Sequence, residues 1–309
     1  MLPQLSGAGL FVTDGGLETE LLFHDGLDLP CFAAFPLLGD PQTRAQLRSY
    51  YDSYLAIARE HGASFIIETP TWRANPDWAR QLGYSTEQLD GVNRDAVALA
   101  EEVRADAAAD GVSAVVSGCV GPRGDGYDPA NVMTPEEAER YHAAQIGTFA
   151  ATTADQVTAM TLTDVNEAIG IVRAAVAAGI PAAISFTVEG DGRLPAGQPL
   201  HEAIEEVDAE TGSGAAYFMI NCAHPIHFAD ALKPDGAWRR RLVGLRANAS
   251  MKSHAELDEA TELDEGDPVD LGARHGALRD RLSAVNVLGG CCGTDARHVA
   301  AIVSAWRAN

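Results

Sequence analysis

Positive charge is what this 309-residue chain has least of. It carries 22 lysines and arginines against 44 aspartates and glutamates, a formal charge of −22. A surface of that sign repels nucleic-acid phosphates and anionic lipid, so neither nucleic acid nor membrane is an expected partner, and small cationic molecules are favoured. Long apolar runs are missing too. No stretch approaches the ~20 apolar residues that span a bilayer. The opening MLPQLSGAGLFV has no basic segment ahead of an apolar one, so no secretory signal is expected there. Cysteine is sparse: Cys31, Cys119, Cys222, Cys291 and Cys292 make no disulfide framework. The expected setting is cytoplasmic, where reduced thiols stay free to bind metal. Aromatic residues are only 6% of the chain, so the core must be mostly Ala, Val, Leu and Ile. That suits helices on a parallel sheet better than an aromatic-rich sandwich.

What the chain does have is alternation. Short apolar runs read as strands over residues 9–14, 64–69, 113–118, 156–161, 182–187, 216–221, 241–247 and 284–288. The stretches after them read as helices over 43–61, 86–110, 135–153, 164–178, 199–211, a short one from 226, 267–282 and 295–307. Eight such units predict α/β architecture, a single (β/α)8 TIM barrel, with residues 1–309 as one domain. An open doubly wound sheet is the alternative, but eight regular units fit closure better. Thr134-Pro135-Glu136-Glu137 sets a capping hydroxyl, a first-turn proline and early acids at one helix start. The acidic stretch 256–270 reads as a solvated loop and helix start.

In a barrel the chemistry gathers where strands end. The first exit reads Asp14-Gly15-Gly16-Leu17-Glu18-Thr19, the second Glu68-Thr69-Pro70-Thr71-Trp72-Arg73, and the third Gly118-Cys119-Val120-Gly121-Pro122. The sixth reads Asn221-Cys222-Ala223-His224, the seventh Arg246-Ala247-Asn248, and the eighth Gly289-Gly290-Cys291-Cys292-Gly293-Thr294. Strands six and eight are two apart around the ring, so Cys222, Cys291 and Cys292 can converge on one Zn2+. Three thiolates leave a fourth position open, the arrangement of a catalytic zinc site. Gly289, Gly290 and Gly293 are expected to turn the backbone tightly enough for adjacent cysteines to face one ion. Two buried small residues or a strained vicinal disulfide are the plainer alternatives for the pair alone.

These residues together resemble the homocysteine S-methyltransferase family. Asp14-Gly15-Gly16 with Thr19, the Gly118–Pro122 run, Asn221-Cys222, Asn248 and the Gly289–Thr294 run carry the resemblance, which spans residue 14 to about 300. It implies a homocysteine-binding-type barrel with zinc on Cys222, Cys291 and Cys292. It also implies acceptor contacts from Asp14, Gly15 and Gly16, and from strand ends such as Thr69, Asn221 and Asn248. The implied reaction moves a methyl group from a small onium donor, S-methylmethionine or betaine, to the thiol of homocysteine. Zinc would keep that thiol deprotonated, against an ordinary pKa of ~8.5.

The chain departs from the family pattern at four places. Glu18 stands where the family has a small residue. Met160 lies at the fourth strand end, where the family carries the glutamate that receives the acceptor's amino group. Trp72 replaces a tyrosine and Arg246 stands near another. The expectation is that Glu18 replaces the lost carboxylate; capping of the following segment by Glu18, or its pairing with Arg73 or Arg246, is the alternative. Trp72, Trp78 and Tyr127 are candidates for a cation–π surface facing the onium methyl. His201, His224, His227 and His254 are expected to support the site rather than ligate, with His224 the one to test. Another thiol acceptor met by Arg73 and Arg246, a zinc hydrolase, and a zinc-binding homologue without methyltransferase activity remain as alternatives. The long connection over residues 23–42 either covers the site or joins a second subunit in a homo-oligomer.

Overall fold

The computed structural model describes every residue except 8, 128, 130, 131, 259, 261 and 309; residues 259 and 261 of the acidic stretch thus lie outside the described residues. Eight parallel strands close into a barrel in chain order. They are β1 (Phe11–Val12), β2 (Ser64–Glu68), β3 (Ala114–Val120), β4 (Gln156–Leu162), β5 (Ala182–Phe186), β6 (Tyr217–Asn221), β7 (Leu242–Ala247) and β8 (Val287–Gly290). β1 pairs with both β2 and β8, which closes the ring. A helix follows each strand: α1 (Pro41–Glu60), α2 (Thr86–Ala109), α3 (Pro135–Ala150), α4 (Val165–Ala178), α5 (Leu200–Thr211), the short α6 (Pro225–Phe228), α7 (Pro268–Gly276) and α8 (Ala296–Ala308). The barrel is the one the alternation predicts. Among the described residues, no helix is long and apolar enough to cross a membrane.

The differences from expectation have local causes. β1 is shorter than predicted because the chain beyond Thr13 leaves the ladder to run along the β8 exit, where Gly16 N donates to the Thr294 carbonyl at 2.9 Å. α1 starts earlier, since Asp40 caps the amides of Gln42 and Thr43 and Pro41 fills a first-turn position that needs no N–H. Thr134 and Glu137 form the reciprocal capping box at the start of α3. A further helix, Pro76–Gln81 capped by Asn75, occupies the connection after β2, where none is predicted.

Gly289 and Gly290 belong to β8 rather than to a turn. A side chain on either would collide with Thr13 or Thr294; these glycines serve close approach, not tight turning. Only Gly293 in that run takes a left-handed backbone, with φ +75°.

Side chains along each strand alternate between the barrel interior and the helix-facing side. Phe11, Ile66, Val115, Met219 and Val287 fill the lower interior against Leu2. A polar layer shares that space. Gln156 Nε2 donates to Tyr217 OH at 3.0 Å and to Thr158 Oγ1 at 3.1 Å, and Gln4 Nε2 donates to Gln156 Oε1 at 2.7 Å. Alternation then puts the residue two beyond Ile66, Glu68, at the top of the interior.

Helices α3 and α4 meet closely through Gly170. A methyl added there would lie 2.5 Å from Glu139 N and 2.7 Å from the Pro135 carbonyl. Gly170→Ala is expected to cost about 1–3 kcal/mol by overpacking. Gly147→Ala in α3, where the methyl meets nothing within 4 Å, is expected to add up to ~1 kcal/mol through helix propensity. Urea unfolding of the two variants checks this, and equal shifts would contradict the packing described.

Candidate metal centre and substrate cavity

The strand ends enclose a cavity of about 390 Å³. Cys222 directly follows β6, and Cys291 and Cys292 directly follow β8. Cys222 Sγ lies 2.8 Å from Cys291 Sγ and 3.5 Å from Cys292 Sγ. Among the described residues, these three form the one group whose ligand atoms converge as metal ligands would. The donor set is all thiol, with no carboxylate or imidazole in it, so it fits a thiophilic ion such as zinc and not magnesium or calcium. Hydrogen bonds from Cys222 and Cys292 hold the Cys291 thiol well below its usual range, and the charge of Arg246 adds to them.

Cys222 needs support, because its φ of +55° is rare for a residue with a side chain. Its N–H donates to the Arg246 carbonyl at 3.1 Å. Its own carbonyl accepts from Asn248 Nδ2 at 3.1 Å and from His254 Nε2 at 2.8 Å. Asn248 Nδ2 is therefore given to the backbone of Cys222, outside the cavity lining, while its buried Oδ1 has no partner. Asn221 is committed too. Its Oδ1 accepts from Thr161 N at 2.9 Å and Ser185 Oγ at 2.6 Å, and its Nδ2 donates to Thr161 Oγ1 at 2.8 Å and reaches Cys291 Sγ at 3.7 Å. That one amide fixes Thr161 at φ +62° and steadies a thiol. From the loop after β3, Tyr127 OH comes within 3.2 Å of Cys222 Sγ and 3.7 Å of Cys292 Sγ. The Tyr127 ring stacks on His254 at 4.0 Å, and His254 Nδ1 lies 3.0 Å from Glu189.

Arg246 does not face outward for a substrate. Its Nη2 donates to Asp14 Oδ1 at 2.6 Å and to the Gly15 carbonyl at 3.2 Å, and its Nε donates to the Gly290 carbonyl at 3.0 Å. Tyr50 OH donates to Asp14 Oδ2 at 3.2 Å, so both oxygens of Asp14 are occupied. Burial works against the charge on Arg246, yet Asp14, and after it Glu68, hold the guanidinium protonated. Arg73 is engaged by the chain through its two terminal nitrogens, while its buried Nε has no partner. Its guanidinium lies between the rings of Trp72 and Trp78, at 4.2 and 4.0 Å, and donates to the Gly124 carbonyl and Asp125. The cation on those two indoles is the chain's own, contrary to the expected onium surface, and Trp78 does not line the cavity. Trp72 and Tyr127 do line it, with Met160, whose carbonyl accepts from Trp72 Nε1 at 3.2 Å.

Gly15, Gly16, Glu18 and Thr69 also line the cavity. A side chain on Gly16 would come within 2.5 Å of the Cys291 carbonyl. Thr69 Oγ1 accepts from Cys119 N at 2.9 Å. Glu18 makes no ion pair among the described residues, and burial raises its pKa to about 7. His224 accepts from Ile226 N at the start of α6, His227 meets the Met251 carbonyl, and His201 packs near Trp238. None of these three lines the cavity.

Sequence reading passed over Glu68. It ends β2, is 5% exposed, and lines the cavity with an Oε2 that has no hydrogen-bond partner. The signal was present: a single charge closes an apolar strand, on the same interior side as Ile66.

Comparison with known proteins agrees with this geometry. Residues 11–306 match the sequence model of the family described as homocysteine S-methyltransferase. Among solved structures, the metallated form of the homocysteine methyltransferase MmuM from Escherichia coli matches at 20% identity over 97% of each chain, with a TM-score of 0.72. The oxidized form of that enzyme matches at 20% identity, over 97% of this chain and 96% of that one, with a TM-score of 0.75. At such identity the structural likeness is one of fold. No curated protein matches significantly.

Burial raises the Glu68 pKa from 4.5 to about 7. The folded chain therefore holds a proton that the unfolded chain has released between those two values, and this group's contribution to stability falls as pH rises through that window. Glu68→Gln removes the loss. Relative to the wild type, the metal-free variant is expected to gain about 3 kcal/mol between roughly pH 4 and pH 8. Urea unfolding across that range measures it; parallel wild-type and variant curves would contradict it.

Proposed function

The chain belongs to the homocysteine S-methyltransferase family, and from that premise we propose that it methylates the thiol of homocysteine, giving methionine, with a small onium compound such as S-methylmethionine or betaine as donor. The observation that carries this reading is the convergence of three thiols on one wall of a closed-in cavity at the barrel mouth. Cys222, Cys291 and Cys292 would hold zinc, which when bound keeps the acceptor's sulfur deprotonated at neutral pH. The chain's own residues do the rest. Asn221 and Tyr127 position the three thiols through the contacts given above. Leu22, Phe23, Phe32, Leu257 and Leu263 line the outer part of the cavity and keep water from the nucleophile. The free faces of Trp72 and Tyr127 offer aromatic surface to the donor's positive methyl-bearing centre. The acceptor's sulfur forms its bond to the methyl carbon as the bond to the onium centre breaks, and the donor leaves one charge poorer. On this reading Asp14, Gly15, Gly16, Thr69 and Met160 shape the acceptor side, and Asn248 acts through Cys222. Glu18 supplies a carboxylate to the acceptor's ammonium group. A requirement for three reduced thiols suits a cytoplasmic enzyme of methionine biosynthesis.

Zinc content and methyl transfer, measured on one reduced preparation, test this. Homocysteine would be offered with S-methylmethionine, dimethylsulfoniopropionate, betaine and S-adenosylmethionine in turn. The expected result is stoichiometric zinc and methionine from at least one donor, with both lost in Cys291→Ala. Zinc without methionine would point to another thiol acceptor, and absence of zinc would sink the metal centre. Glu18→Gln is expected to raise KM for homocysteine by roughly 10-fold while zinc content stays unchanged; an unaltered KM would remove Glu18 from the acceptor site.

A further inference from the structure

Several carboxylates line the cavity, and not all of them are already paired. Asp14 is paired, because Arg246 and Tyr50 occupy both its oxygens. Asp125 already receives Arg73. At the end of β4, Met160 offers no charge. Asp264 receives Ser250 and Lys252. That leaves Glu18, from the segment after β1, Glu68, at the end of β2, and the exposed Glu262. Glu68 is the most buried of them, at 5% exposed, beside Ser117 and Thr158, whose hydroxyls favour its charged form. It is in no ion pair among the described residues, although the charge of Arg246 reaches it. Arg246 gives Nη2 to Asp14 and Gly15 and Nε to Gly290. Burying a carboxylate oxygen with no partner is costly, and Glu68 lines a cavity of ligand size, where a cationic donor group would relieve that cost.

Cys119 lines the same cavity, and burial, then the charges of Glu68 and Glu18, push its thiol well above the usual range. A primary ammonium carries three N–H donors, enough to serve two carboxylates at once. A sulfonium or quaternary ammonium has none, and suits the aromatic side of the cavity instead. We propose that Glu68 binds the α-ammonium of the amino-acid thiol. The proposal rests on the homocysteine reading above and adds its specificity determinant, a buried carboxylate delivered by β2. A thiol that lacks the amino group forfeits this contact.

Calorimetric titration of the zinc-loaded protein with L-homocysteine and with 4-mercaptobutyrate, the same thiol acid without its amino group, decides the matter apart from turnover. The wild type is expected to prefer homocysteine. Glu68→Gln is expected to weaken homocysteine by about 10- to 100-fold and to leave 4-mercaptobutyrate unchanged. Glu68→Asp keeps the charge and is expected to retain part of the preference; it also serves if the glutamine variant fails to fold. A role confined to the fold would weaken both thiols together, and that result overturns the proposal. So does a preference that survives in Glu68→Gln and vanishes in Glu18→Gln, or a wild type that binds both thiols alike. If the zinc-loaded wild type binds neither thiol, the homocysteine reading itself falls, and this inference falls with it.

Discussion

A buried guanidinium and a buried carboxylate hold the barrel mouth in register. Arg246 rises from β7, and Asp14 sits where β1 ends. Through the carbonyls of Gly15 and Gly290 the same arginine also grips the segments on either side. Removing either partner would strand an unpaired charge away from water, at a cost of about 3–5 kcal/mol. The Gly290 carbonyl is one peptide before Cys291, so two of the three thiols inherit their placement from this pair. The backbone of Arg246 also receives the amide of Cys222, so the third thiol depends on the same residue.

The alternation of apolar runs and helical stretches is enough to reveal the barrel, because period and length are properties of local segments. The Gly289–Thr294 run with Cys222 is equally legible, since strand ends in a barrel must converge. Three kinds of feature were not. Glu68 required counting interior parity along β2, and parity becomes reliable only when the register to β3 is known. The engagement of Arg73 by Trp72 and Trp78 depends on the helix Pro76–Gln81, which short-range patterning does not distinguish from a loop. The pairing of Arg246 with Asp14 links positions 232 residues apart, beyond the reach of any local pattern. Boundaries slipped where packing, not propensity, decides them. Gly289 and Gly290 look like turn residues, yet they sit in a strand because Thr13 and Thr294 leave no room for a side chain.

The electrostatics of the cavity follow from which charges are already spent. Its two arginines are engaged by the chain itself, Arg246 by Asp14 and Arg73 by Asp125 and two indoles. What remains is carboxylates, among them Glu18 and Glu68, together with aromatic and aliphatic surface. Such a chamber distinguishes cations by whether they can donate hydrogen bonds. The net charge of the whole molecule has the same sign and draws cationic molecules toward this opening.

The walls differ in how they are built. One is closely packed: Gly15 and Gly16 lie on the carbonyls of Thr294 and Cys291, and in the adjoining β8 Gly289 and Gly290 lie on the side chains of Thr13 and Thr294, with no space for even a methyl group. The opposite wall is made of separate side chains, among them Leu22, Phe23, Phe32, Leu257 and Leu263, contributed by connections rather than strands. Variation reaches these walls unequally. Sequence drift can reshape the second one residue at a time, while any change in the first must be accommodated by several strands at once. The thiol centre and the range of molecules brought to it can therefore diverge at different rates among descendants of this fold.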